Sequence, residues 1–336
     1  MKNQEKLIIA SLVTIAAVGG FVGGRYTAPI PAELPIGQPS VNNVTELRSG
    51  GYKFINPLLE CDNYVQSDIQ TISNLQNQLN LYVQRVKDER KAEHVSIYFR
   101  DLNNGPWMGI QEDANYSPAS LLKVPILIAA LKKAESEPAF LSKKVKFQKY
   151  IDPISQNIID DKLIKLGNTY TIEQLLEKMI AHSDNEAKDL IVANIGDELF
   201  VKVLTDIGIN INGIGPADDF VSVKEYSSFF RLLYNATYLN KNMSEKALEI
   251  LSKTSFAQGL TAGIPKGTLI SHKFGERAYG DSNIKQLHDC GIIYLANHPY
   301  LLCVMTRGND FKQLGTVIAG VSDIVYKETS SSTQQH

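Results

Sequence analysis

The sequence predicts an α/β fold of the α+β type: a five-stranded antiparallel sheet covered by N- and C-terminal helices, with an all-helical lobe inserted between strands. Three observations predict it. Alternating strand patterns lie at both ends of the folded region, short turns join them, and the stretch between them is helical throughout. With 336 residues there is ample apolar material for a core. A net charge of −2, with 34 basic and 36 acidic residues, excludes nucleic acid as a partner.

The first 25 residues read as a membrane anchor or signal segment. Lys2 and Lys6 precede the uncharged run Leu7 to Gly24, which as a helix would span about 27 Å. Basic residues on its short side predict export of the rest, tethered to the membrane or secreted if the segment is cleaved. Residues 26–51 then carry Pro29, Pro31, Pro35 and Pro39 among Gly, Asn and Ser, the composition of an extended linker.

The folded domain is expected over 52–329. It opens on a helix at about 67–91, capped by Ser67 and Gln70, with Ile69, Ile72, Leu75, Leu79, Val83 and Val86 at helical spacing. Val95, Ile97 and Phe99 alternate with Ser96, Tyr98 and Arg100 in a strand, and Asn103-Asn104-Gly105 turns it back through Trp107 to Ile110. Helices follow at about 120–134, 171–181, 184–195, 198–207, 222–238 and 243–252. Strands resume at 268–275, 287–296 and 300–307, a helix over 311–327 closes the fold, and the polar tail 330–336 is expected to be disordered. Cys61, Cys290 and Cys303 form neither a disulfide framework nor a zinc pattern and read as small buried side chains.

The chemistry is concentrated in three short stretches. In "SPASLLKVPIL" Ser120 and Lys123 are three apart at the start of an apolar helix, so they share a face, and Ser120 lies near the positive helix end. Alone the pair is weak, because Ser282 and Lys285 repeat it. Ser183-Asp184-Asn185 follows between two helices, where a plain N-cap is the ordinary explanation. Lys273-Phe274-Gly275-Glu276 ends a strand, for which a glycine turn would suffice.

In this order the three stretches resemble the motif set of the class A β-lactamases and penicillin-binding proteins, Ser-x-x-Lys, Ser-Asp-Asn and Lys-Thr-Gly. The resemblance covers about 67–327 and implies the same fold. It also implies that Ser120 is the nucleophile, Lys123 its base and Ser183 a proton relay. Asn185 and Lys273 would hold the substrate, and the N–H groups of Ser120 and Glu276, beside Gly275, would meet the oxyanion. No cofactor and no metal are implied. A β-lactam or a peptidoglycan stem peptide is the expected ligand, and the protein is expected to be a monomer.

Two departures stand out. No glutamate occurs between Leu199 and Lys224 to activate a deacylating water, and Asp218 and Asp219 read instead as caps of the next helix. Phe274 replaces the threonine that offers a hydroxyl to a substrate carboxylate. A D-Ala-D-Ala peptidase that deacylates slowly, and a non-catalytic wall-binding protein, are therefore the alternatives to a β-lactamase. The six histidines show no metal spacing, and His182 and His272, which flank the motifs, read as structural.

Overall fold

The computed structural model describes residues 44–48, 50–63, 69–103, 106–150, 157–158, 162–209, 215, 218–280 and 282–332. The anchor segment, most of the linker, and the Ser67 cap lie outside the described residues. Among the described residues no helix is long and apolar enough to cross a membrane.

The end of the Pro-rich stretch is folded rather than free. Residues Val44–Arg48 (β1) pair antiparallel with Leu58–Asn63 (β2). The Arg48 guanidinium donates to the Asn56 carbonyl at 2.6 Å and to Asn235 Oδ1 at 3.0 Å. The Glu245 carboxylate accepts the N–H groups of Lys53, Phe54 and Ile55. Asn235 and Glu245 come from almost 200 residues further on, so composition alone could not show that this segment is anchored.

Helix α1 (Ile69–Asp88) buries Leu75, Leu79, Val83 and Val86, the stripe its spacing predicts. Strands β3 (His94–Asp101) and β4 (Trp107–Ile110) follow. The chain then enters the inserted lobe through β5 (Asn115–Tyr116), a 3-10 turn (Ala119–Leu122) and α2 (Lys123–Ser136). The lobe continues with β6 (Lys144–Lys146), β7 (Thr169–Thr171), α3 (Ile172–Ala181), α4 (Asn185–Ile195) and α5 (Asp197–Asp206). It closes with β8 (Val221–Ser222), α6 (Val223–Tyr234), α7 (Lys241–Leu251) and a 3-10 turn at Leu260–Gly263. The insert is thus not purely helical. Its ladders β5–β8 and β6–β7 are two or three residues long, too short for an alternation signal.

Strands β9 (Ile270–Ala278), β10 (Lys285–Ile293) and β11 (Tyr300–Gly308) complete one antiparallel sheet in the order β4-β3-β11-β10-β9. Period-two alternation gives the sheet two buried faces. Val95, Ile97, Phe99, Leu302 and Val304 pack under α1 and α8 (Phe311–Ser332). Tyr98, Cys290, Ile292, Leu301 and Cys303 face the inserted lobe. Cys290 and Cys303 are reduced, buried, direct cross-strand neighbours.

The final helix corrects the expected tail, because it runs on through Ser332. The hydroxyls of Ser330 and Ser331 donate to the carbonyls of Tyr326 and Lys327, four residues back. The polar composition is absorbed by the helix itself.

Candidate active site

Ser120 sits in a tight turn clamped from three sides. The Ser117 N–H donates to Gln286 Oε1 at 3.0 Å, and the Ser117 carbonyl accepts from His288 Nε2 at 3.1 Å. The buried Tyr226 hydroxyl donates to the Leu121 carbonyl at 2.9 Å. His288 Nδ1 accepts the Thr306 N–H, which leaves Nε2 as the donor. Burial pushes the His288 ring down to about 4, so it serves this clamp as a neutral ring. Ala119, just before Ser120, has a φ of +47°, a left-handed conformation that a non-glycine residue holds only under constraint.

The α-helix proper begins only at Lys123, with Ser120 in the 3-10 turn ahead of it. Pro125 therefore falls in the first helical turn, where its missing N–H costs nothing. The turn also packs directly on β9 at Gly275. A Cβ there would lie 2.9 Å from the Pro118 carbonyl oxygen and 2.9 Å from Leu121 Cγ. Gly275→Ala is accordingly expected to cost about 1–3 kcal/mol in chemical denaturation. By displacing the turn it should also slow covalent labelling of Ser120 by about 10²-fold.

Lys123 joins the first two motifs. Its ammonium nitrogen lies 3.2 Å from Ser120 Oγ, 3.0 Å from Ser183 Oγ, 2.5 Å from the Ser183 carbonyl and 2.7 Å from Asn185 Oδ1. Ser183 can present both its hydroxyl and its carbonyl because its φ is +54°. Asp184 meanwhile does what an ordinary cap does. Its Oδ1 accepts the Ala187 N–H at 3.0 Å and its Oδ2 the Ile164 N–H at 2.7 Å. Cap and constellation therefore coexist on adjacent residues. Burial holds the Lys123 amine well below the usual lysine range, with the Lys273 and Lys188 charges adding to the effect.

Lys273 completes the cluster from β9. Its nitrogen donates to Ser183 Oγ at 3.2 Å and to the Phe274 carbonyl at 2.9 Å. Burial lowers it to about 7, against the opposing pull of Asp289 and Glu276. Ser183 Oγ is thus shared by two lysines, in contact with one that contacts Ser120. Such an arrangement can move a proton from one side of the serine pair to the other.

The other β9 residues do different work. Phe274 stacks on Phe256 with ring centroids 4.2 Å apart and planes 18° apart, and Lys273 Nζ lies 4.0 Å from the Phe274 ring centroid. Where the motif otherwise offers a hydroxyl, this chain offers an aromatic face already occupied on one side. The Glu276 carboxylate is engaged elsewhere, its Oε1 accepting the N–H groups of Asn157 and Ile158 at 2.6 and 2.8 Å.

All three motifs lie within residues 75–329, the span matched by the Beta-lactamase enzyme family profile. The chain belongs to the β-lactamase enzyme family. It is 25% identical over 256 residues to Beta-lactamase VEB-1 of Pseudomonas aeruginosa, spanning 69% of this chain and 81% of that one. It is 26% identical over 306 residues to Beta-lactamase 3 of Bacillus cereus, spanning 82% and 93%. A point mutant of PBP-A, solved as an acyl-enzyme complex with penicillin G, shares the fold with a TM-score of 0.64 at 24% identity, covering 77% of this chain and 97% of that one. This family member is a serine hydrolase.

Several residues of this β-lactamase-family site have no motif of their own. Gln286, His288 and Asp289 are fully buried polar residues in an otherwise apolar strand, which is the one sequence signal that could have exposed them. Asp289 Oδ1 pairs with His272 Nδ1 at 2.9 Å and its Oδ2 accepts the Leu260 N–H at 2.9 Å, so His272 is structural as expected. Phe256 and Tyr226 carry no local signal at all.

The expectation for Asp218 and Asp219 is corrected. The helix at 223 is capped by Ser222 in a capping box with Glu225. Asp218 accepts the Gly215 N–H instead. Asp219 accepts from Tyr279 and Gln286 and pairs with Arg307. The second Ser-x-x-Lys match is a surface turn, in which Ser282 donates to the Tyr279 carbonyl and Lys285 lies over Phe311. Among the described residues no cluster of His, Cys, Asp or Glu is placed to hold a metal ion.

Proposed function

We propose that Ser120 attacks the carbonyl of a β-lactam ring, or of a related acyl-D-Ala peptide, and forms an acyl-enzyme. The observation that carries this is the Lys123 amine, buried between Ser120 Oγ and Ser183 Oγ and held well below its ordinary pKa. A neutral amine there takes the Ser120 proton as the Oγ–C bond forms. As the C–N bond breaks, Ser183 Oγ hands a proton to the leaving nitrogen and recovers one from Lys123. The N–H groups of Ser120 and Glu276 stabilise the oxyanion, while Asn185 and Lys273 hold the rest of the substrate. The acyl-enzyme that a PBP-A mutant forms with penicillin G supports this reading.

A second reading, a D-Ala-D-Ala peptidase that releases β-lactams slowly, is favoured by one observation. Asp219, one of the two carboxylates nearest the missing glutamate in sequence, is already committed to Arg307, Tyr279 and Gln286. The basic-then-apolar start of the chain supports export of either activity, with that segment as the tether.

Incubating the full chain with a chromogenic β-lactam separates the readings. Many turnovers per chain support the β-lactamase. One persistent, stoichiometric label supports the peptidase. Absence of any Ser120-dependent label overturns the acyl-enzyme.

A further inference from the structure

Away from the serine, β3 and β4 meet helix α6 around a cavity of about 460 Å³. Tyr98 and Arg100 lie two apart on β3, so they share the face of the sheet toward the inserted lobe, and Trp107 is the direct cross-strand partner of Arg100. The Trp107 ring stacks on Tyr98 at 5.6 Å with planes 20° apart, yet it remains 43% exposed. It is the single tryptophan of the chain.

The charged lining is distinctive. Among the described residues the guanidinium of Arg100, half-buried at the cavity wall, has no hydrogen-bond or ion-pair partner. Lys224 stands 5.4 Å from the Trp107 ring centroid and 3.3 Å from Asp113. Asn115, paired with Ser222 across β5 and β8, brings an amide with both a donor and an acceptor to the wall. An open guanidinium fork matches a carboxylate geometrically. A flat, exposed indole with a polar rim suits a ring that is apolar on its faces and hydroxylated at its edges.

We propose that this cavity binds a saccharide bearing a carboxylate, with the sugar face on Trp107 and the carboxylate on Arg100. The rim is too polar for an apolar ligand. The site stands apart from the chemistry at Ser120 and does not depend on it.

Trp107 makes the test direct, because the single tryptophan of the full chain lines this cavity. The probes are N-acetylmuramic acid, N-acetylglucosamine, which lacks the carboxylate, and lactate, which lacks the ring. N-acetylmuramic acid is expected to change the emission saturably. Each of the other two should bind at least about 10-fold more weakly. Arg100→Gln should weaken N-acetylmuramic acid binding by about the same factor while leaving the circular dichroism and the rate of Ser120 labelling unchanged. No saturable change up to about 10 mM of the acidic sugar overturns the proposal. Equal binding of N-acetylglucosamine overturns the carboxylate contact, and equal binding of lactate overturns the saccharide contact. The labelling assay is read separately, so failure at Ser120 and failure at this cavity are distinguishable.

Discussion

Ser120→Ala is expected to abolish covalent capture of a fluorescent β-lactam, with acylation slowed by at least about 10⁴-fold. The variant should fold, because the hydroxyl is only one of four groups around the Lys123 nitrogen. The Ser183 carbonyl, Ser183 Oγ and Asn185 Oδ1 remain in place. A stability change of no more than about 1 kcal/mol in urea is expected. Mass spectrometry of the intact chain after incubation gives the answer. An adduct of unchanged yield on Ser120→Ala would move the nucleophile elsewhere.

Replacing Lys123 by arginine should be nearly as damaging, for a different reason. A guanidinium keeps its proton in any protein environment, so it can donate to Ser120 but cannot serve as a base. Acylation is expected to fall by about 10²–10⁴-fold. The pH profile separates this from simple misplacement. Lowering the Lys123 pKa means that the amine loses its proton at a lower pH than an ordinary lysine does. Acylation by the native chain should therefore rise with pH along a limb centred well below the usual lysine value. Lys273 loses its own charge near about 7, which withdraws a cation from the site, so a falling limb is expected there. Lys123→Arg should lack the rising limb. A native profile that is flat from acid to alkaline pH would remove Lys123 from the base role.

Much of the fold and the three motif stretches could be read from the chain, because each rests on local spacing. The α1 stripe, the alternation in β3 and the helix behind Ser120 all follow from periodicities of 3.6 and 2. The Thr171–Gln174 capping box lies within four consecutive letters, with the Thr171 hydroxyl accepting the Gln174 N–H. Resemblance then brought three individually weak stretches into one site. What was misread failed for lack of long-range information. Asp219 looks like a cap beside a helix start, and only the approach of Arg307 and Tyr279 shows where its carboxylate goes. Residues 44–48 look like tether, and only β2, Asn235 and Glu245 show that their neighbourhood is anchored.

By itself, then, the sequence determined the class of fold and the order of its main helices and sheet strands, which depend on residue type and on spacing along the chain. Its resemblance to a known family pointed to which serines, lysines and asparagine could act together. Tertiary structure alone decided that Lys123 and Lys273 share Ser183 Oγ, that Gly275 leaves room for the turn carrying Ser120, and that burial lowers both lysines. Close approach and loss of water are properties of the packed chain. Residues 60 and 90 positions apart acquire them only when the sheet and the inserted lobe close on one another.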